Sequence, residues 1–305
     1  MKDDGRKDVY SEITNTIIAE LEKGVMPWVP AWDTPMPCRP MRATEEPYRG
    51  INVLLLWIAA ANAGFQSPYW FTYRQVVKVG GFVRKGEKST PIVYVGSMAK
   101  TEQDENGEKQ EREIAFLRQY SVFNLQQAEG MPESYHWPMN GQLWPVSESE
   151  ATEMMDEFFR NTGASIVHGL DNPHYSILSD QVHMPPRTAF KSVNDYYATL
   201  AHEVTHWTGH PTRSPRNFRA IIGSPANYAR EELIAELGAA FLCADLELSM
   251  QPREDHAEYI AIWLKILRND KRAIFQASSM AQKAVDFLHG LQCSQLAEKP
   301  RRTAA

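Results

Sequence analysis

The sequence predicts an α+β protein built from two domains, and three observations carry that expectation. The chain has 305 residues, of which 43% are hydrophobic, 10% aromatic and 23% charged, enough to bury two ordinary cores and too apolar to be disordered throughout. Helix-spaced apolar positions and short runs rich in Val, Ile and Tyr occur on both sides of the middle of the chain. Between residues 126 and 146 lie Gly130, Pro132, Pro138, Gly141 and Pro145, the strongest break in the sequence. The expected domains are therefore residues 1–130 and 146–305, joined by a linker over 131–145.

The elements follow in order. Tyr10, Ile13, Ile17, Ile18 and Leu21 repeat at helical spacing, and Gly24 ends that helix. Six prolines between 26 and 47 forbid a continuous helix or a central strand there. A second helix spans 51–63, closed by Gly64, with Trp57 in the core. Thr72 and Gln75 form a capping-box pattern that opens a short helix ending at Gly80 and Gly81. Residues 91–97 and 114–123 read as the strands of a hairpin, with the acidic stretch 102–113 as its long loop. Beyond the linker come a helix over 148–160, strands over 165–168 and 175–184, and helices over 192–208, 228–246, 257–267 and 271–288. Ser192 caps the first of these four, and Gly209 stops it.

Several classes are excluded. The charged N-terminus has no apolar run behind it, and the longest apolar stretch, 53–61, is far shorter than the roughly 20 residues that span a bilayer. A cytoplasmic protein without membrane contact is expected. Cys38, Cys243 and Cys293 are odd in number and widely spaced, so neither a disulfide framework nor a cysteine zinc knuckle fits. The net charge of -6 argues against a uniform coat for nucleic acid. Without the acidic stretch, however, the part before Gly130 has 14 basic against 11 acidic residues, leaving room for a local anion-binding face.

The most informative residues are His202, Glu203 and His206. On a helix, positions four apart share a face, so the two imidazoles can grip one ion while Glu203 addresses a bound water as general base. The helix is otherwise apolar, and buried histidines and carboxylates need partners. A catalytic zinc site usually takes a third protein ligand and leaves one position open. One plan for the third ligand is HExxHxxGxxH, from which the sequence departs: Gly209 is present but Thr212 stands where the last histidine belongs and His210 comes two residues early. The alternative is a carboxylate from a later helix, the gluzincin plan. Glu232 and Glu236, one turn apart, supply it: Glu232 as third ligand and Glu236 behind a histidine, or the reverse. The cofactor expected is one divalent ion, zinc first, with manganese or cobalt as substitutes.

The chain as a whole, from about Val9 to Leu288, resembles the ArdC-type antirestriction proteins of conjugative plasmids. In the second part the resemblance is carried by the runs from His202 to His210 and from Glu231 to Leu246, preceded by the run from Tyr175 to Pro185. In the first part it is carried by Pro27-Trp28, Tyr48 to Asn52, Gly64-Phe65, Trp70 to Gln75 and Gly80 to Lys88. The resemblance implies a zincin-like metallopeptidase domain behind a domain also found at the front of certain plasmid primases. It also implies single-stranded DNA binding and protection of incoming plasmid DNA from host restriction.

The residues of the first part suit that role. Single-strand binders combine a basic groove with aromatic faces on which bases stack. Arg49, Trp70, Tyr73, Arg74, Arg84, Lys85 and Lys88 are the expected contacts, with Arg213, Arg216 and Arg219 as the alternative. A peptide substrate, a host restriction or regulatory protein, would add as a strand along 175–183. The rival reading is a DNA-shielding protein whose metal site is structural or vestigial.

Overall fold

The computed structural model describes residues 8–29, 38–103, 109–135, 148–169, 171–214, 216, 224–248 and 256–292. It has two domains of mixed helices and sheets. In the first, α1 (Val9–Glu22) starts at Asp8, whose side chain accepts from the Tyr10 N–H, and leaves through Gly24 at φ 75. Next come β1 (Met41–Arg42) and α2 (Ile51–Ala63), which ends on the left-handed Gly64. After β2 (Tyr69–Phe71), α3 (Tyr73–Lys78) opens with the reciprocal Thr72–Gln75 capping box that the sequence predicts. Then come β3 (Phe82–Val83), β4 (Thr90–Gln103), β5 (Lys109–Asn124) and β6 (Ala128–Glu129).

The main sheet has the order β1-β2-β5-β4, with β1 and β2 parallel and the other neighbours antiparallel. The Asn52 side chain fastens α2 to β4, bonding both the N–H and the C=O of Val93 at 2.8 Å. The hairpin is longer than its expected strands, because register holds from Thr90↔Val122 to Gln103↔Lys109. Glu102, Glu111 and Glu113 thus belong to strands, while Asp104, Glu105 and Glu108 lie outside the described residues.

The second domain runs α4 (Glu148–Asn161), β7 (Ser165–His168), β8 (His174–Ser176), β9 (Gln181–Met184), α5 (Val193–Thr208), α6 (Pro225–Asp245), α7 (His256–Asn269) and α8 (Ala273–Gly290). The strand expected over 175–184 is two strands, because the chain turns at Asp180, whose φ is 54. The sheet order is β7-β9-β8, so β9 is interior and its Val182 and Met184 are fully buried. Gly209 does cap α5, but at a right-handed φ of -79 that any residue adopts.

Sequence reasoning did not foresee how the domains join. One apolar cluster runs through both, from Ile17, Trp28 and Leu54 to Leu237, Trp263 and Val285. Trp28 meets Trp263 edge-on at 5.6 Å, and the part-buried Trp57 lies 6.0 Å from Phe241. Arg39, only 4% exposed, reaches across the boundary: it pairs with Asp245 at 3.0 Å, donates to Gln282 at 2.7 Å and lies over the Phe241 ring. A smaller cluster under α3 contains Phe71, Val76 and Met131. The Tyr135 ring stands edge-on to Phe71 at 4.9 Å, so the start of the expected linker is packed structure, and residues 136–147 of it lie outside the described residues.

Candidate metal centre

Two long helices build the centre. Ser192 caps α5 by accepting from the Asp195 N–H, and Tyr196, Tyr197, Leu200 and Val204 bury its apolar face. Ser224 caps α6, with Pro225 in its first turn. The helices meet where α6 carries Gly238. A Cβ there would lie 2.4 Å from Thr205 Cγ2, so only glycine permits this approach. That approach brings Glu232 and Glu236 of α6 against His202 and His206 of α5.

The donor atoms converge. The two Nε2 atoms are 3.2 Å apart, Glu232 Oε2 is 3.5 Å from His202 Nε2, and Glu232 Oε1 is 3.4 Å from His206 Nε2. A tetrahedral ion with ligand bonds of about 2.0–2.1 Å has donor–donor edges of about 3.3 Å. The two nitrogens stand at about that spacing, each has one Glu232 oxygen at a similar distance, and one donor atom from each of the three residues lies within 4.8 Å of the other two. All three residues are buried, at 3%, 7% and 6% exposure for His202, His206 and Glu232.

The other imidazole nitrogens are held from behind. Glu236 Oε1 lies 3.2 Å from His202 Nδ1, at ion-pair distance though off the line of a hydrogen bond. Glu231 Oε1 lies 3.1 Å from His206 Nδ1. Arg216 in turn grips Glu231 through Nε at 3.0 Å to each oxygen, and donates to Thr208 Oγ1 and the carbonyls of Thr205 and His206. Glu203 is 4% exposed on the same helix. Three buried carboxylates, Glu231, Glu232 and Glu236, face two imidazoles and one guanidinium, and the two imidazoles with Glu232 form a donor set that fits a divalent cation.

The electrostatics agree. Burial disfavours the imidazolium form, yet Glu232 and Glu236 outweigh it and hold His202 up to about 9. Glu231 and Glu232 hold His206 up to about 10 against the same penalty. Burial would raise Glu232, but the two histidines hold it far below the usual carboxylate range. Without a metal the site thus stores protons where an ion would put charge.

Glu231 and Arg216 were missed by sequence reasoning, which left Glu231 undecided between the surface and the core and offered Arg216 to DNA. The run Glu231-Glu232 held the signal, since a second buried acid calls for a second cation. Arg213 is also committed, pairing with Asp180 and lying 3.9 Å over the Trp207 ring, while Arg219 is outside the described residues. His210 stands apart from the cluster, bonded to Thr212. Tyr228, on α6 one turn before Glu232, has its phenol pushed far up by burial and by the charge of Glu232.

The expected DNA residues divide. Trp70 is 1% exposed, with its ring edge-on to Phe65, so it has no open face for a base and the expectation is corrected. Its strand is buried on both faces. Arg49 is paired with Asp286 of α8 and belongs to the domain junction rather than to a free cationic face. Arg84 is exposed but tied to Glu87 at 2.6 Å. Tyr73 is 59% exposed, and Arg74, Lys85 and Lys88 are exposed. Among the described residues these three cations, and Lys78 beside them, form no ion pair.

Known proteins match this arrangement along its length. The N-terminal domain of anti-restriction factor ArdC matches residues 7–123, and a zincin-like metallopeptidase domain matches residues 153–280. The metal-free crystal structure of Antirestriction ArdC protein from R388 plasmid superposes with a TM-score of 0.79 at 43% identity, over 93% of this chain and 98% of that one. The chain belongs to the ArdC antirestriction family. The Mn(II)-bound structure of that ArdC gives a TM-score of 0.76 at 41% identity over 97% of this chain and all of the other. An uncharacterized protein of Sinorhizobium fredii, y4eC, is 38% identical over 93% of this chain and 92% of its own length. An Escherichia coli DNA primase, TraC, is 33% identical over 98% of this chain, which spans 29% of that primase. No described helix of this ArdC-family chain is long and apolar enough to cross a membrane.

Proposed function

We propose that the protein is a zinc-type metallopeptidase joined to a single-stranded DNA-binding domain, and that it protects incoming plasmid DNA from host restriction. The observation that carries the peptidase reading is the convergence of donor atoms from His202, His206 and Glu232 within 4.8 Å of one another, with the buried Glu203 next to His202 on the same helix. Two imidazoles and one carboxylate with a position left for water form a familiar catalytic zinc set, and the Mn(II)-bound structure of the R388 relative supports a divalent ion in this chain too. A divalent ion held there would supply a Lewis acid and bring the pKa of a bound water towards about 7.

Glu203 accepts the proton of the water whose oxygen attacks the peptide carbonyl carbon. It then delivers that proton to the departing amine as the C–N bond breaks, leaving a carboxylate and an amine. His202 and His206 are kept in place from behind by Glu236 and by the Glu231–Arg216 pair. A substrate strand would add along the edge strand β8, because β9 is already paired on both sides. Its source would be a host restriction or regulatory protein.

The DNA reading rests on residues 73–88, where Tyr73, Arg74, Lys78, Arg84, Lys85 and Lys88 face a single acid, Glu87. One pair of proteins tests both halves. Wild type should cleave an unfolded polypeptide such as casein and bind an oligothymidine, whereas Glu203→Ala should keep its ion and its DNA affinity and lose cleavage. Equal cleavage by both would remove Glu203 from the chemistry, and no binding of oligothymidine at low salt would remove the DNA half.

A further inference from the structure

We infer that the outward face of the β4–β5 hairpin is a base-stacking platform, formed by Tyr94 and Tyr120 with Arg118, that extends the single-strand site beyond the cationic turn. It rests on the DNA reading proposed above. Directly opposed residues of an antiparallel pair share one face. The register sets Tyr94 against Arg118 and Ile92 against Tyr120, so both tyrosines and the arginine project from the same side. Tyr94 is 54% exposed, Tyr120 is 45% exposed and Arg118 is exposed.

At the base of this face Val122 is fully buried and Ile92 packs on the core, so among the described residues the face opens to solvent at Tyr120, Tyr94 and Arg118. Val93, of opposite parity, is 5% exposed and has its peptide bonded to Asn52 of α2. The face of Tyr94 and Tyr120 carries two large rings, each about half exposed. Their centroids are 6.4 Å apart at 83°, an edge-on arrangement that leaves most of the ring faces uncovered by the partner ring.

Position along the chain selects the occupant. Lys88 lies two residues before β4. At about 3.3 Å per residue, Ile92, opposite Tyr120, is about 13 Å beyond Lys88 and Tyr94 about 20 Å beyond it. Cations at the base of the hairpin, with aromatic rings and an arginine further along, form a backbone-tracking and base-stacking series. A duplex hides its base faces and gains nothing from such rings, whereas a single strand offers them. The series also restores, on a solvated strand, the stacking surface that Trp70 cannot give.

The test uses the full chain, loaded with metal, and oligothymidine with one internal 2-aminopurine. Tyr94→Leu with Tyr120→Leu should weaken binding by about 5- to 100-fold for each base that no longer stacks, abolish part of the 2-aminopurine fluorescence change and leave the salt slope unaltered. Tyr94→Phe with Tyr120→Phe should retain binding and fluorescence change, which separates ring stacking from misfolding and from hydroxyl bonding. Undiminished binding by the Leu pair overturns the platform and leaves the DNA reading intact. Equal weakening by the Leu and Phe pairs overturns it too, because the rings would then not be the source. Failure of wild type to bind overturns instead the DNA reading on which the platform rests.

Discussion

The metal centre and the surface formed by residues 73–88 are both rich in charge, and they solve opposite problems. At the centre the histidines and the carboxylates around them are paired inside the molecule: His206 faces Glu231, which faces Arg216, while His202 faces Glu236 and both imidazoles face Glu232. On the surface Arg74, Lys78, Lys85 and Lys88 have no acidic counterpart among the described residues. Burying an unmatched charge is costly, so an interior must balance its own charges, while a solvated surface can leave its counterpart to another molecule. Function at the centre is therefore contained in the fold, and function at the surface needs a partner to be complete.

The sharpest break of this comparison is to empty the centre. His202→Ala with His206→Ala should abolish binding of about one divalent ion per chain, read by metal analysis, and leave oligothymidine binding as it was. Retention of the ion would refute the site, and loss of DNA binding would mean that the two regions are not independent. The metal-free wild type offers a pH version. Both imidazoles hold protons up to about 9 and 10, above the ordinary 6.5, so the stability they confer is complete below about 6.5 and lost as pH rises through 9 to 10. Metal affinity should climb over the same window, because each ion bound must expel those protons. Calorimetry in buffers of different ionisation enthalpy measures the proton release.

The domain junction comes next in size. Arg39→Ala removes the buried cation from Gln282, the carbonyl of Phe241 and Asp245, and because Asp245 is part-exposed and also faces His289 the loss should fall below the about 3–5 kcal/mol of a fully buried pair. Because one apolar cluster spans both domains, melting should remain a single transition at a lower temperature. Two separated transitions would show that the domains fold apart. By the same argument residues 1–140 alone should lose stability, since Trp28 would be stripped of Trp263 and Arg49 of Asp286.

Within the centre, Glu231→Ala should weaken metal binding by about 10- to 100-fold while the ion remains bindable, the size expected for a group that orients a ligand. Glu232→Ala should cost more than Glu236→Ala, and the reverse order would exchange their roles. An Arg216→Ala variant should follow Glu231→Ala, because its guanidinium acts through that carboxylate.

The sequence made the two regions unequally legible. HExxH spacing and the four-residue step from Glu232 to Glu236 are local, and helical geometry turns them directly into shared faces. The same holds for Gly64 at the end of α2 and for the Thr72–Gln75 box. Glu231 was obscured because its cation arrives from Arg216, through a turn beyond Gly209 that no periodicity describes. Trp70 misled because a three-residue strand buried on both faces shows no alternation, so its ring looked the same in sequence as an exposed one. The break at Asp180 was readable, since Ser179-Asp180 is turn chemistry in the middle of the expected strand. The shared core was not, because packing between Trp28 and Trp263 joins residues far apart in the chain.

The smallest expected effect tests the surface half of the comparison. Lys78, Lys85 and Lys88 changed together to Gln remove three exposed charges that no acid among the described residues balances, so the fold should lose almost nothing and gain no unpaired acid. If these cations meet phosphates, the dependence of log affinity on log salt should flatten by about 0.7 for each phosphate no longer neutralised, and all sequences should weaken alike. Arg84→Gln should flatten the slope less, because a guanidinium already held by Glu87 is less available to a phosphate, although the unpaired Glu87 it leaves would still weaken binding by repulsion. An unmoved salt slope in the triple variant, with wild type still binding, would mean that the unmatched cations serve only solubility. The strand would then be held by charges placed elsewhere on the first domain.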